Sequence, residues 1–134
     1  MKPIVRNILA VVAGIVLCLI LNSVLLGLLM QVIVPPEGFD PNDPGTYHLL
    51  QGPHYISPFL AHALPSLVGG FLAALIAASR KMTLALVVGG LHMLGGIAAA
   101  FFIPAPTWFI VADLSLAYLP MAWIGGKLAV RRGQ

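Results

Sequence analysis

The chain has 134 residues, of which 60% are hydrophobic and 8% charged. A soluble domain carries about 25% charged residues, so this chain cannot wrap a core in a solvated surface, and its length allows one domain only. The net charge of +3 comes without a basic patch interleaved with aromatics, which excludes nucleic-acid binding, and the single cysteine, Cys18, excludes both a disulfide framework and a Cys-x-x-Cys motif.

The first apolar segment runs from about residue 4 to 34, with Lys2 and Arg6 at its start. A cleavable signal sequence has an apolar region of about 7–15 residues. This run is roughly twice that and ends in Pro35-Pro36, so it reads as a retained transmembrane helix. Residues 35–56 form the one substantial loop, rich in Pro and Gly and holding Glu37, Asp40 and Asp43 with no Lys or Arg. Asp40-Pro41 and Asp43-Pro44-Gly45 read as turns, and Thr46 is placed to cap a short helix that Gly52 ends.

The second span is expected over 57–79, with Ser57 as N-cap and Pro58 at the first helical position. Pro65 lies inside it and frees the Ala61 carbonyl. Arg80-Lys81 is a tight turn before a third span over 82–103, which Pro104-Ala105-Pro106 ends. Thr107 is placed to cap a fourth span over 107–130, in which Pro120 frees the Leu116 carbonyl. The expected fold is an all-α membrane protein, a four-helix antiparallel bundle over residues 1–134. Every Lys and Arg (Lys2, Arg6, Arg80, Lys81, Lys127, Arg131, Arg132) falls on the side of the termini. The positive-inside rule then puts both termini in the cytoplasm and the acidic loop outside, in a bacterial inner membrane. Trp108, Phe101, Phe102 and Tyr55 fall at the outer interface and Trp123 near the inner one.

Glycine pairs recur in Val68-Gly69-Gly70, Val88-Gly89-Gly90, Leu94-Gly95-Gly96 and Ile124-Gly125-Gly126. Ala61, Gly69, Ala73 and Ala77 make a small-residue stripe at helical spacing. In lipid, such stripes let helices approach for dispersion contacts. The partner is either a neighbouring helix of the same chain or a second copy in a homo-oligomer. An old hairpin duplication is the competing origin of the repeated pairs.

Four polar residues inside the spans need an account: Asn22, His62, His92 and Asp113. An ionisable residue at membrane depth is costly and by default a functional candidate. His62 and Asp113 lie at similar depth in the outer half of the bilayer, while Asn22 and His92 lie nearer the midplane. The glycines Gly89, Gly95 and Gly96 share a helix face with His92 and would let a neighbour close around it. The four residues outline a polar pocket opening outwards, with Asn22 below. Read structurally, they are satisfied core groups and interhelical glue. Read functionally, a His/Asp pair can bind a small solute or exchange a proton, which points to transport or solute binding. The alternative is an accessory or structural membrane subunit without its own chemistry. A third reading is a divalent metal held by His62, His92 and Asp113, or a haem held by the two histidines, although neither histidine belongs to a paired ligand motif and no cofactor is expected. Hydrolysis is not supported, since neither Gly-x-Ser-x-Gly nor His-Glu-x-x-His occurs.

Small four-span families with known activities can be set aside by their marks. There is no acid in the first span, as the small multidrug exporters have, no membrane-embedded Arg, as the fluoride channels have, and no cysteine pair for quinone-linked thiol oxidation. Pro35-Pro36-Glu37-Gly38, Pro58-Phe59-Leu60-Ala61-His62-Ala63-Leu64, the run from Phe71 to Ser79 and Ile103-Pro104-Ala105-Pro106-Thr107-Trp108-Phe109-Ile110 resemble a group of short bacterial four-span inner-membrane proteins with no assigned activity. That resemblance implies the four-span topology and brings no function with it.

Overall fold

A long apolar run with Pro3 in its first turn, where a missing N–H costs nothing, folds as one uninterrupted helix. The computed structural model describes residues 1–133, and this helix, α1, spans Pro3–Val32. Its inward face is Ala10, Gly14 and Cys18, spaced by four. Ile8, Val12, Val16, Leu19, Val24 and Leu28 are exposed on the remainder. A helix apolar on every face needs lipid around it. α1 ends at Val32 rather than at residue 34, because Pro35 disfavours helical backbone at the residue before it.

The loop that follows is laced to itself. Asp43, not Thr46, caps its 3-10 turn over Pro44–Leu49, the carboxylate accepting from the Gly45 N–H at 2.9 Å. Thr46 instead receives the Asp40 N–H and donates back towards the Asp40 and Asp43 carbonyls. The Tyr47 hydroxyl donates to the Pro41 carbonyl at 3.0 Å, and its ring meets Phe39 edge-on. A second 3-10 turn, Gly52–Tyr55, opens at Gly52, where the sequence suggested a stop, and is closed by a reciprocal cap between Gln51 and His54. That turn already follows a helical path, so α2 begins at Ile56 and Ser57 lies inside it instead of capping it.

α2 (Ile56–Ile76) ends three residues short of the expected Ser79. The reason is a clasp from α1. The Asn7 side-chain carbonyl accepts from the N–H groups of Ala78 and Ser79, its amide donates to the Ser79 hydroxyl, and Arg6 donates to the Ile76 carbonyl. Arg80 then adopts left-handed backbone (φ 50°, ψ 40°) and starts α3, Lys81–Phe102.

The fourth apolar segment is two helices rather than one. α4 covers Thr107–Leu116 and α5 covers Leu119–Arg132. Pro106, not Thr107, takes the N-cap position of α4. Pro120 cannot donate to the preceding turn and its ring crowds it, and here the chain breaks at Ala117–Tyr118.

Four segments are long and apolar enough to cross a membrane: Pro3–Val32, Gly52–Ile76, Lys81–Phe102 and Thr107–Arg132. The molecule is therefore an all-helical, multi-pass membrane bundle. α2 lies at its centre, against α1, α3 and α5. Contacts between α1 and α2 run antiparallel: Arg6 meets Ile76, Gly14 faces Ala73 and Gly69, and the Cys18 thiol donates to the Pro65 carbonyl at 3.1 Å. The stripe Ala61, Gly69, Ala73 and Ala77 is buried, Gly69 and Ala73 in these contacts.

Backbone touches backbone where α2 crosses α5. A Cβ added at Gly70 would lie 2.7 Å from the Ala122 carbonyl oxygen, and one at Gly125 would strike the Leu67 carbonyl. Gly95 has nothing within 4 Å of the same position. Thermal unfolding in detergent should separate the two cases. Gly70→Ala is expected to cost about 1–3 kcal/mol through overpacking, whereas Gly95→Ala is expected to be neutral or to gain up to about 1 kcal/mol from helix propensity.

Candidate functional site

Asp113 is the only acid inside the apolar spans, and two places in the chain supply what it needs. The Nδ1–H of His62 on α2 donates to the carboxylate at 2.8 and 3.0 Å. The Tyr118 hydroxyl, from the break between α4 and α5, donates to Oδ2 at 3.0 Å. Asp113 is 5% exposed and Tyr118 is fully buried. The break in the fourth segment is what turns Tyr118 back onto a carboxylate five residues earlier. Its hydroxyl fits only because position 96 has no side chain, since a Cβ there would collide with it.

His92 on α3 joins through Ser66, one turn after His62 on α2. The Ser66 hydroxyl donates to the His62 carbonyl at 2.8 Å, which uses its only proton. Its contact with His92 Nδ1 at 2.8 Å is therefore donated by the imidazole. Both rings thus donate from Nδ1, which leaves Nε2 as the remaining ring nitrogen of each. The Tyr118 ring stacks on His62 at 5.4 Å and meets His92 edge-on at 5.1 Å, while the two imidazoles lie 6.2 Å apart.

Above this cluster, towards the loop, lies a chamber of about 180 Å³. Leu26 and Met30 of α1, Ala99 and Ala100 of α3, and Phe109 and Ile110 of α4 form its walls. Phe39, Pro41, Tyr47, Leu50 and His54 roof it. His62 and Asp113 lie in its lining, and Ser57 faces it as well, 2% exposed and with no hydrogen-bond partner for its hydroxyl oxygen. In the roof, burial, and behind it the charge of Asp40, raises the Tyr47 phenol above its ordinary value of 10. His48 and His54 are tied into the loop, the first donating from Nδ1 to the Gly45 carbonyl and the second accepting at Nδ1 from the Gln51 N–H.

Three of the four sequence candidates, His62, Asp113 and His92, are brought together. Asn22 is not. It continues the inward row Ala10, Gly14, Cys18 of α1, but its buried Oδ1 has no hydrogen-bond partner among the described residues and it does not line the chamber. The glycine face expected around His92 is also divided. Gly96 receives Tyr118 and Gly89 packs on Ala122, while Gly95 is exposed. Tyr118 was missed by the sequence reading. Its one signal was a phenol placed two residues before an intrahelical proline.

Among the described residues no group of three or more His, Cys, Asp or Glu is disposed to hold a metal ion. No protein family, curated protein or solved structure matches the chain.

Two substitutions probe this network. Tyr118→Phe removes one of two donors to a buried carboxylate and is expected to cost about 1.5–3 kcal/mol of stability, the scale of a hydrogen bond to a charged group. Ser66→Ala takes away the acceptor of the His92 Nδ1–H. Nitrogen NMR of labelled histidine should show His92 as the Nδ1–H tautomer in the native protein and a mixture of tautomers in the variant.

Proposed function

We propose that this protein binds a small, mostly apolar solute in the chamber above His62 and Asp113, reached from the side of the acidic loop. The observation that carries the reading is a hydrogen-bonded His–Asp pair lining an otherwise apolar chamber. Small-molecule sites have this composition, apolar walls with a few placed polar groups that set orientation. A core pair kept only for stability has no need of a cavity beside it.

The membrane placement belongs to the same proposal. Lys2, Arg6, Arg80, Lys81, Lys127, Arg131 and Arg132 all belong to the end of the bundle that carries the termini, while residues 35–56 and 104–106 have no Lys or Arg. In a bacterial inner membrane this puts both termini in the cytoplasm and the chamber in the outer half. Transport is the second reading. It is favoured by the closure of the bundle below the cluster, where Gly70 and Gly125 lock α2 against α5. A chamber at one end of a bundle that is closed at the other end matches one state of an alternating-access cycle.

The test is a titration of toluene, a single apolar ring, into the purified protein in lipid nanodiscs, read by thermal unfolding. Saturable stabilisation is expected in the native protein, with its loss in Ala99→Phe, which fills the chamber wall. No stabilisation, or the same stabilisation in the filled variant, contradicts the reading.

A further inference from the structure

The chamber also constrains the ligand, in an inference that rests on the solute-binding reading above. We propose that its ligand class is a neutral, single-ring phenol, bound with the ring between the apolar walls and the ring hydroxyl donating to Nε2 of His62.

Size comes first. A dry apolar cavity of about 150 Å³ holds one benzene, and the chamber measures about 180 Å³. One six-membered ring fits that volume. The walls suit such a ring, since Phe109 and Tyr55 already pack against each other at 4.8 Å along the lining.

Charge comes second. No Lys or Arg lines the chamber, and Asp113 does. A carboxylate or phosphate ligand would meet that charge with nothing to offset it. The oxygens of Asp113 already accept from His62 and Tyr118, and the ligand class proposed is neutral.

The free valences come third. In the proposed complex His62 gives its Nδ1–H to Asp113 and takes the ligand at its other ring nitrogen, Nε2, as an acceptor. An acceptor in an apolar chamber selects a ligand with a donor, and a ring hydroxyl is the donor compatible with the volume. Asp113 fixes the imidazole so that Nε2 is held in one orientation. The second free group is the Ser57 hydroxyl, buried and unpartnered in the same lining. It lies five residues before His62 on α2, so the two are about 7.5 Å apart along the helix axis. A ring with two oxygens in para positions, a hydroquinone, engages both.

The same chemistry has two sources: free phenols from the aqueous side, and lipid-soluble quinols or alkylphenols from the membrane. The experiment uses phenol, toluene, hydroquinone and para-octylphenol as probes, with histidine-labelled protein in nanodiscs. Phenol is expected to stabilise the protein and shift the Nε2 resonance of His62 saturably. Toluene is expected to compete with phenol without moving that resonance. Ala99→Phe, and independently Leu50→Trp from the roof, should abolish both effects. Ser57→Ala should weaken hydroquinone about 5- to 10-fold, the scale of one hydrogen bond, and leave phenol within about twofold. A gain for para-octylphenol beyond its partition into lipid supports the membrane source, and no such gain supports the aqueous one.

Two results overturn the proposal. If phenol and toluene both bind in the chamber and the Nε2 resonance stays in place, the hydroxyl assignment fails and the solute-binding reading stands. If no probe binds and the filled variants match the native protein, both fail.

Discussion

A carboxylate among apolar helices has to be satisfied from within the protein. On insertion scales an unpaired Asp at the centre of a span costs about 2.5–3.5 kcal/mol. Asp113 meets this with two donors from two places in the chain, His62 on α2 and Tyr118 at the break after α4. The arrangement of that end of the bundle follows from those bonds. His62 fixes the rotation of α2, which places Ser66 against His92 and so ties α3 to the same centre. Tyr118 fixes where α4 stops, and Gly96 is the notch that admits it.

The other end is held by different forces. There α2, α3 and α5 approach at glycine and alanine, where close contact between backbones supplies the dispersion energy that a hydrophobic drive supplies in water. Exposed groups at the termini end add the clasp of Asn7 and Arg6 on the turn after α2. The bundle is thus tight over one half and hollow over the other, and the polar cluster sits at the boundary. A cavity persists beside the cluster because its walls belong to elements held apart by different partners: α1 by its glycine contacts with α2, α4 by its carboxylate, and the roof by its own hydrogen bonds.

Much of this was legible in the sequence. Hydropathy located four spans to within a few residues, because apolar length is what lipid demands of a helix. The small-residue stripe of α2 announced its buried face, and similar depth suggested that His62 and Asp113 could meet. What stayed hidden depended on neighbours. Pro120 permits either a kinked continuous helix or a break, and the Tyr118 hydroxyl bond to Asp113 goes with the break seen here. Ser57-Pro58 has the pattern of a helix start, but the Gln51–His54 cap begins the helical path upstream and leaves Ser57 inside. Asn22 lies on the inward face its spacing implies, yet the side chains facing it offer its Oδ1 no partner. Gly95 and Gly96 are adjacent in sequence and opposite in use, a distinction that the course of α4 and α5 determines.

The most direct test of this account is a double-mutant cycle on His62→Ala and Asp113→Asn, with stability measured by unfolding in detergent. A pair that organises the bundle should show a coupling energy of about 1.5–3 kcal/mol, the range of a charge-assisted hydrogen bond. Single-variant costs that add to within about 0.5 kcal/mol would mean the two side chains act independently. The chamber would then have no fixed polar group to present to a ligand, and the account would fail.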